Sequence, residues 1–177
     1  LESTGLQALG DCMSAWTRPT KADIGLRVFA SSLNNLFSET AIGMQHLLLS
    51  PESLRNLNSK IRHCSQWNVT LPKVLESDNE ILLVKWLEEV LYRSEVHGQF
   101  LTDVLIMVSE DEENQYCSGQ VDWIDVETIE RELEIKAVTT HELKIDELSA
   151  DQELASKWQE IPTFQGPGWF CDIVFDI

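Results

Sequence analysis

Hydrophobic positions along this chain change period several times, and the changes mark out its elements. Ile24 to Ala30 alternates, with Ile24, Leu26 and Val28 on one side and Arg27 on the other. That is the pattern of a half-buried strand. Ser31 or Ser32 then caps a helix whose stripe is Leu33, Leu36, Phe37, Thr40, Ala41, Met44, Leu47 and Leu48, closed by Ser50-Pro51. His46 lies at the edge of that stripe, a boundary position. Cys64 to Leu71 reads as a strand with Trp67, Val69 and Leu71 on one face. Ser77-Asp78-Asn79-Glu80 has the form of a capping box, and Leu82, Leu83, Trp86, Leu87, Val90 and Leu91 give a second helix that ends at His97-Gly98.

The second half turns to strands. Phe100 to Ser109 is almost continuously apolar, which predicts a strand buried on both faces. Glu110 to Asn114 is a charged hairpin tip, and Gln115 to Trp123 pairs back. Leu133 to Val138 predicts a strand with Leu133, Ile135 and Ala137 inward and Glu134 and Lys136 outward. Asp146 to Trp158 is acidic and predicts a helical excursion, and Ile161 to Gly168 a loop. Leu1 to Trp16 has weak periodicity broken by Gly5 and Gly10, a tail or short helix. The order predicts an α+β fold: two helices packed on a curved, mostly antiparallel sheet. Residues 1–18 form the tail, and 19–177 form one domain with an acidic insertion at about 146–168.

Trp169 to Ile177 closes the chain as a strand, with Trp169, Cys171, Ile173, Phe175 and Ile177 on one face. Phe170, Asp172, Val174 and Asp176 share the other. The strand stays apolar to its last residue, whereas most termini fray. Either this is a sheet strand that happens to end or is cut there, or a terminus held in a sheet fixes the Ile177 carboxylate beside that of Asp176. Two such anions repel unless a cation or a donor stands between them. Hard oxygen donors suit Ca²⁺, Mg²⁺ or Mn²⁺. Asp23, at the mouth of the first strand, is a turn residue or a further ligand. His141 follows two threonines at a strand end, as a metal ligand or a structural histidine.

Composition narrows the classes. With 177 residues, 43% of them hydrophobic, the chain can bury a real core. A formal charge of −17 disfavours a direct grip on nucleic acid and suits docking on a basic surface. No apolar run has membrane-spanning length and no signal-peptide pattern is present, so a cytoplasmic protein without membrane contact is expected. Cys12, Cys64, Cys117 and Cys171 form no Cys-x-x-Cys pair, which fits a reduced compartment. There is no phosphate loop, nucleophile elbow or His-Glu-x-x-His motif.

Four segments, in order, resemble the archease family. Ala22-Asp23-Ile24-Gly25-Leu26 resembles its N-terminal signature, and Leu83 to Tyr92 its second helix. Glu134 to Ile145 resembles its most distinctive block, with Thr140 where a Tyr usually stands. Val174-Phe175-Asp176-Ile177 resembles its closing Phe-Asp-[Ile/Val]. The family normally carries a His, often with an Asp, just before Ala-Asp; Thr20 and Lys21 stand there instead. The resemblance implies a small acidic, metal-binding cofactor, not itself an enzyme. Its partner would be a GTP-dependent RNA ligase of the RtcB type, which it helps to guanylylate and turn over in tRNA splicing or RNA repair. It further implies Asp23, Asp176 and the Ile177 carboxylate as metal ligands, with Ca²⁺ first and Mg²⁺ or Mn²⁺ as alternatives. His141 would be a ligand or the hydrogen-bond partner of one. A stand-alone metal-dependent phosphoesterase and a metal-free, chaperone-like acidic adaptor are the competing readings. Oligomeric state is left open.

Overall fold

The computed structural model describes residues 14–20, 23–74 and 76–177. The reading of Leu1 to Met13 as a tail lies outside them. In chain order the elements begin β1 (Ala15–Arg18), β2 (Ile24–Ala30), α1 (Leu33–Leu48), α2 (Pro51–Asn56), β3 (His63–Pro72) and α3 (Asn79–His97). They continue β4 (Gln99–Glu110), β5 (Asn114–Asp125), β6 (Ala137–Val138), β7 (Lys144–Leu148), β8 (Glu153–Leu154), β9 (Phe164–Gln165) and β10 (Gly168–Asp176). Three helices therefore lie on mostly antiparallel sheets, one more than the sequence predicts; the extra one, α2, is a short helix with Pro51 in its first turn and Ser50 as cap.

β10 is the spine of the larger sheet. It pairs along its length with β2, from Trp169↔Ala30 to Phe175↔Ile24. Its other edge is shared by β7 near its start and β6 at its end. β1 pairs with β2, so Ala15–Arg18 belongs to the sheet rather than to a tail. A second sheet has the order β3-β5-β4, and β8 and β9 form a small hairpin.

The main core lies between these sheets and the helices. α1 presents Leu36, Phe37, Ala41 and Met44 to β2, β4 and β10, all fully buried. α3 presents Leu82, Leu83, Trp86, Leu87 and Val90. Each buried Leu, Phe, Met or Val side chain among these contributes about 1.5–3 kcal/mol over its exposed state. Ser32 caps α1 by accepting from Asn35 N at 3.2 Å. Gly98 closes α3 at φ 66, a left-handed conformation that a β-carbon would strain.

Five sequence expectations change. Asp78, not Ser77, caps α3, accepting from Ile81 N at 2.9 Å, while Ser77 turns to Glu110 and Glu80 accepts from Ile145 N at 3.1 Å. β4 is not buried on both faces: Asp103, Leu105 and Met107 point outward, because among the described residues no layer covers that side of the three-stranded sheet. A bulge between Leu101 and Asp103 resets the alternation there. Of Leu133–Val138 only Ala137–Val138 is strand; Ile135 and Val138 are buried while Leu133 and Ala137 are exposed. Asp146–Trp158 is not helical. Its first part is β7, whose backbone pairs with β10 and overrides the helix-tolerant acidic composition, and its later part holds β8.

β2, finally, is buried through both faces rather than half-buried. Its inner face meets α1. Its outer face, with that of β10, carries Phe29 and Phe170, covered by Ile161, Leu148, Leu154, Trp158 and Phe164. The acidic insertion is thus a lid of turns and short strands with a small core of its own.

Candidate functional site

The last residue of β10 meets the turn into β2. Register pairs Phe175 with Ile24, the last pair of the ladder, and Asp176 and Asp23 are the residues that follow and precede that pair in the chain. Asp23 shares a face with Gly25 and Arg27, and Asp176 with Val174 and Asp172. Both carboxylates therefore belong to the outer face, and both residues are exposed. Directly opposed side chains on antiparallel strands are near neighbours, and like charges there repel. The Asp23 turn is closed by Thr20, whose Oγ1 donates to the Asp23 carbonyl. Ile177, half-buried, packs against the edge of the core.

Lys136 grips this end twice. Its backbone N–H donates to the Asp176 carbonyl at 2.8 Å, and its Nζ donates to the Ile177 main-chain oxygen at 2.9 Å. The backbone bond follows from the β6 register, Asp176↔Ala137. The sequence reading placed Lys136 outward but gave it no role. Its one signal was a lone cation between apolar residues of the Glu134–Val138 block.

His141 does not join this group. Past β6 the chain runs back along β10: Thr139 Oγ1 donates to the Val174 carbonyl at 2.8 Å, and Lys144 already lies opposite Asp172. The His141 side chain is 76% exposed, with Nε2 3.7 Å from Glu142 Oε1. Glu142 adopts φ 55 and reaches Arg18.

Arg18 belongs to a buried charge cluster that sequence reasoning missed. Arg27 Nε and Nη2 donate to the two Asp172 carboxylate oxygens at 2.7 and 2.6 Å. Arg18 Nη1 is 3.9 Å from the same carboxylate. The Trp158 ring covers both guanidinium groups, 5.3 Å from Arg18 and 4.8 Å from Arg27. Arg18 Nε and Arg27 Nη1 are buried with no hydrogen-bond partner among the described residues. The signal was the pairing itself: one arginine in β2 and one aspartate mid-way along β10, both on outward positions.

The family model described as Archease protein family (MTH1598/TM1083) matches residues 17–177. The chain belongs to the archease family. It is 31% identical over 132 residues to Protein archease of Thermococcus gammatolerans, covering 72% of this chain and 84% of the relative. It is 30% identical over 132 residues to that of Thermococcus kodakarensis, with the same coverage. The solution structure of Methanobacterium thermoautotrophicum protein 1598 superposes with TM-score 0.59 at 17% identity, covering 93% of this chain and 99% of that one. That likeness shows the archease fold. The family match runs through Asp23, Lys136, His141, Asp176 and Ile177.

The donors at the sheet end suit a hard divalent cation, being all oxygen: Asp23, Asp176 and the Ile177 main-chain oxygen. The Lys136 ammonium on that oxygen is itself a positive group at the same place. Among the described residues no three His, Cys, Asp or Glu side chains gather as a group that could hold a metal ion. Two open clefts of about 320 Å³ lie elsewhere. One is between the start of α3 and β7, lined by Asp78, Glu80, Asp146 and Trp169; the other is beside α2. No helix among the described residues is long and apolar enough to cross a membrane.

Proposed function

We propose that this archease-family chain is a protein cofactor, not itself an enzyme, that promotes guanylylation and turnover of a GTP-dependent RNA ligase of the RtcB type. The setting is tRNA splicing or RNA repair. It works with a divalent cation, Ca²⁺ in the first place and Mg²⁺ or Mn²⁺ as alternatives, held by Asp23, Asp176 and the carboxylate of Ile177. What supports the reading is the family match over residues 17–177, together with the pairing of Phe175 with Ile24, the neighbours of Asp176 and Asp23. When bound, the cation supplies fixed positive charge at the edge of a protein of net charge −17. That edge can then approach phosphate-rich chemistry which the rest of the surface repels. His141, 76% exposed, is the weaker candidate, as a ligand or as the hydrogen-bond partner of one.

The test is the rate of ligase guanylylation by GTP, with and without this protein. Addition should raise the rate, and Asp176→Ala should remove about nine-tenths of the gain while leaving the unfolding midpoint unchanged, since Asp176 is exposed. A ligase indifferent to the protein over a range of metal and nucleotide conditions contradicts the reading. Hydrolysis of phosphoesters by the isolated protein with Mn²⁺ would replace it with the phosphoesterase.

A further inference from the structure

Lys136 is the residue at the sheet end that the cation reading does not use. Its ammonium occupies one lone-pair direction of the Ile177 main-chain oxygen at 2.9 Å. Its backbone is locked to the same strand end through the Asp176 carbonyl at 2.8 Å, so the side chain starts from a fixed root. Lys136 has no Asp or Glu side chain as ion-pair partner among the described residues. Asp23 and Asp176 likewise have no ion-pair partner among them. Among the described residues, Lys136 is the cation hydrogen-bonded at the strand end that also carries Asp176.

We propose that Lys136 is a built-in counter-ion that competes with the divalent cation for the Ile177 oxygen. Cation loading then releases the Lys136 ammonium from the strand end. The inference rests on the cation reading of Asp23, Asp176 and Ile177 given above, and deepens it. The physical reason is simple. An oxygen can give a given lone pair to an N–H or to a metal, not both, and an ammonium held beside a divalent cation is repelled by it. In the cation-free protein the ammonium offsets repulsion between the two aspartates and the Ile177 end. In the loaded protein the cation takes over that work. The consequence is a threshold: Lys136 raises the cation concentration at which the site fills. It also ties filling to the appearance of a free ammonium on an otherwise acidic edge. A point-charge amine on a flexible stem suits such an exchange, because breaking one hydrogen bond frees it without disturbing its backbone.

Calorimetric titration with CaCl₂ of metal-stripped wild type, Lys136→Met, Lys136→Arg and Lys85→Met tests it. Methionine keeps the apolar stem and removes the donor and the charge. Lys85 is an exposed lysine on α3, so its variant makes the same change in net charge elsewhere. Lys136→Met should bind calcium about fivefold to tenfold more tightly, the scale of an exposed ion pair lost together with a like-charge neighbour. Lys136→Arg and Lys85→Met should stay within about twofold of wild type. In chelator, Lys136→Met should unfold at a lower temperature than wild type, and calcium should close the gap. Equal or weaker calcium binding by Lys136→Met overturns the competition and leaves the cation site standing. Absence of Ca²⁺, Mg²⁺ and Mn²⁺ binding by all four proteins overturns the cation site itself, and the competition with it.

Discussion

Asp172 lies in the middle of β10, only 8% exposed, with both carboxylate oxygens taken by Arg27. Such a pair adds little net stability over an apolar one, but breaking it strands a charge. Asp172→Leu alone should therefore cost about 3–5 kcal/mol in urea unfolding. The double variant with Arg27→Met should recover much of that loss, since no unpaired charge is left between them. A double variant as unstable as the sum of the singles would refute the pairing.

His46, in the last turn of α1, is held below its ordinary value of 6.5 by burial. Above 6.5 the ring is neutral in the folded and the unfolded chain. As pH falls through 6.5 the unfolded chain takes up the proton first, so stability is lost on the acid side. The slope from this residue is at most about 1.4 kcal/mol per pH unit. Unfolding free energies from pH 7 to 5 should flatten in His46→Gln relative to wild type, by the His46 share of the slope.

At the scale of elements, the insertion between β7 and β10 is the least expected part of the molecule. Its acidic residues suggested a solvated helix. Its apolar ones, Leu148, Leu154, Trp158, Ile161 and Phe164, turn out to cover Phe29 and Phe170 on the sheet's outer face. Spacing did not reveal this, because the pattern belongs to turns and two-residue strands with no period of their own. Trp158 links the cover to the charge cluster, stacking on Arg18, which in turn reaches Glu142 on the His141 turn. Trp158→Ala should cost about 2 kcal/mol, less than a fully buried Trp, and speed hydrogen exchange on the 139–143 turn. Unchanged exchange there would show that cover and turn are uncoupled. By contrast β2, α1, α3 and β10 were legible almost to the residue, because each carries a strong apolar period into a core that uses it. The misreadings at β4 and at Leu133–Val138 share one cause. Apolar composition gives strand propensity, but which face is covered depends on layers that only the tertiary fold supplies.

At the scale of the whole molecule, the architecture gathers chemistry from chain ends. The segments that carry Asp23, Lys136 and Asp176 are far apart in sequence and come to one sheet because β10 takes β2 on one edge and β6 on the other. The motifs around Asp23 and Asp176, which carry the family resemblance, were legible in the sequence, and the family match covers both. The pairing of their strands, the double grip of Lys136 and the separate station of His141 were not, since register is a property of pairing rather than of either strand. The most direct measurement is a double-mutant cycle on calcium affinity with Asp23→Asn, Asp176→Asn and the pair. If the two carboxylates act as one site, each single variant loses most of the calcium binding and the double loses little more. Losses that simply add, or single variants that bind calcium as wild type does, would contradict a shared site at the end of β10.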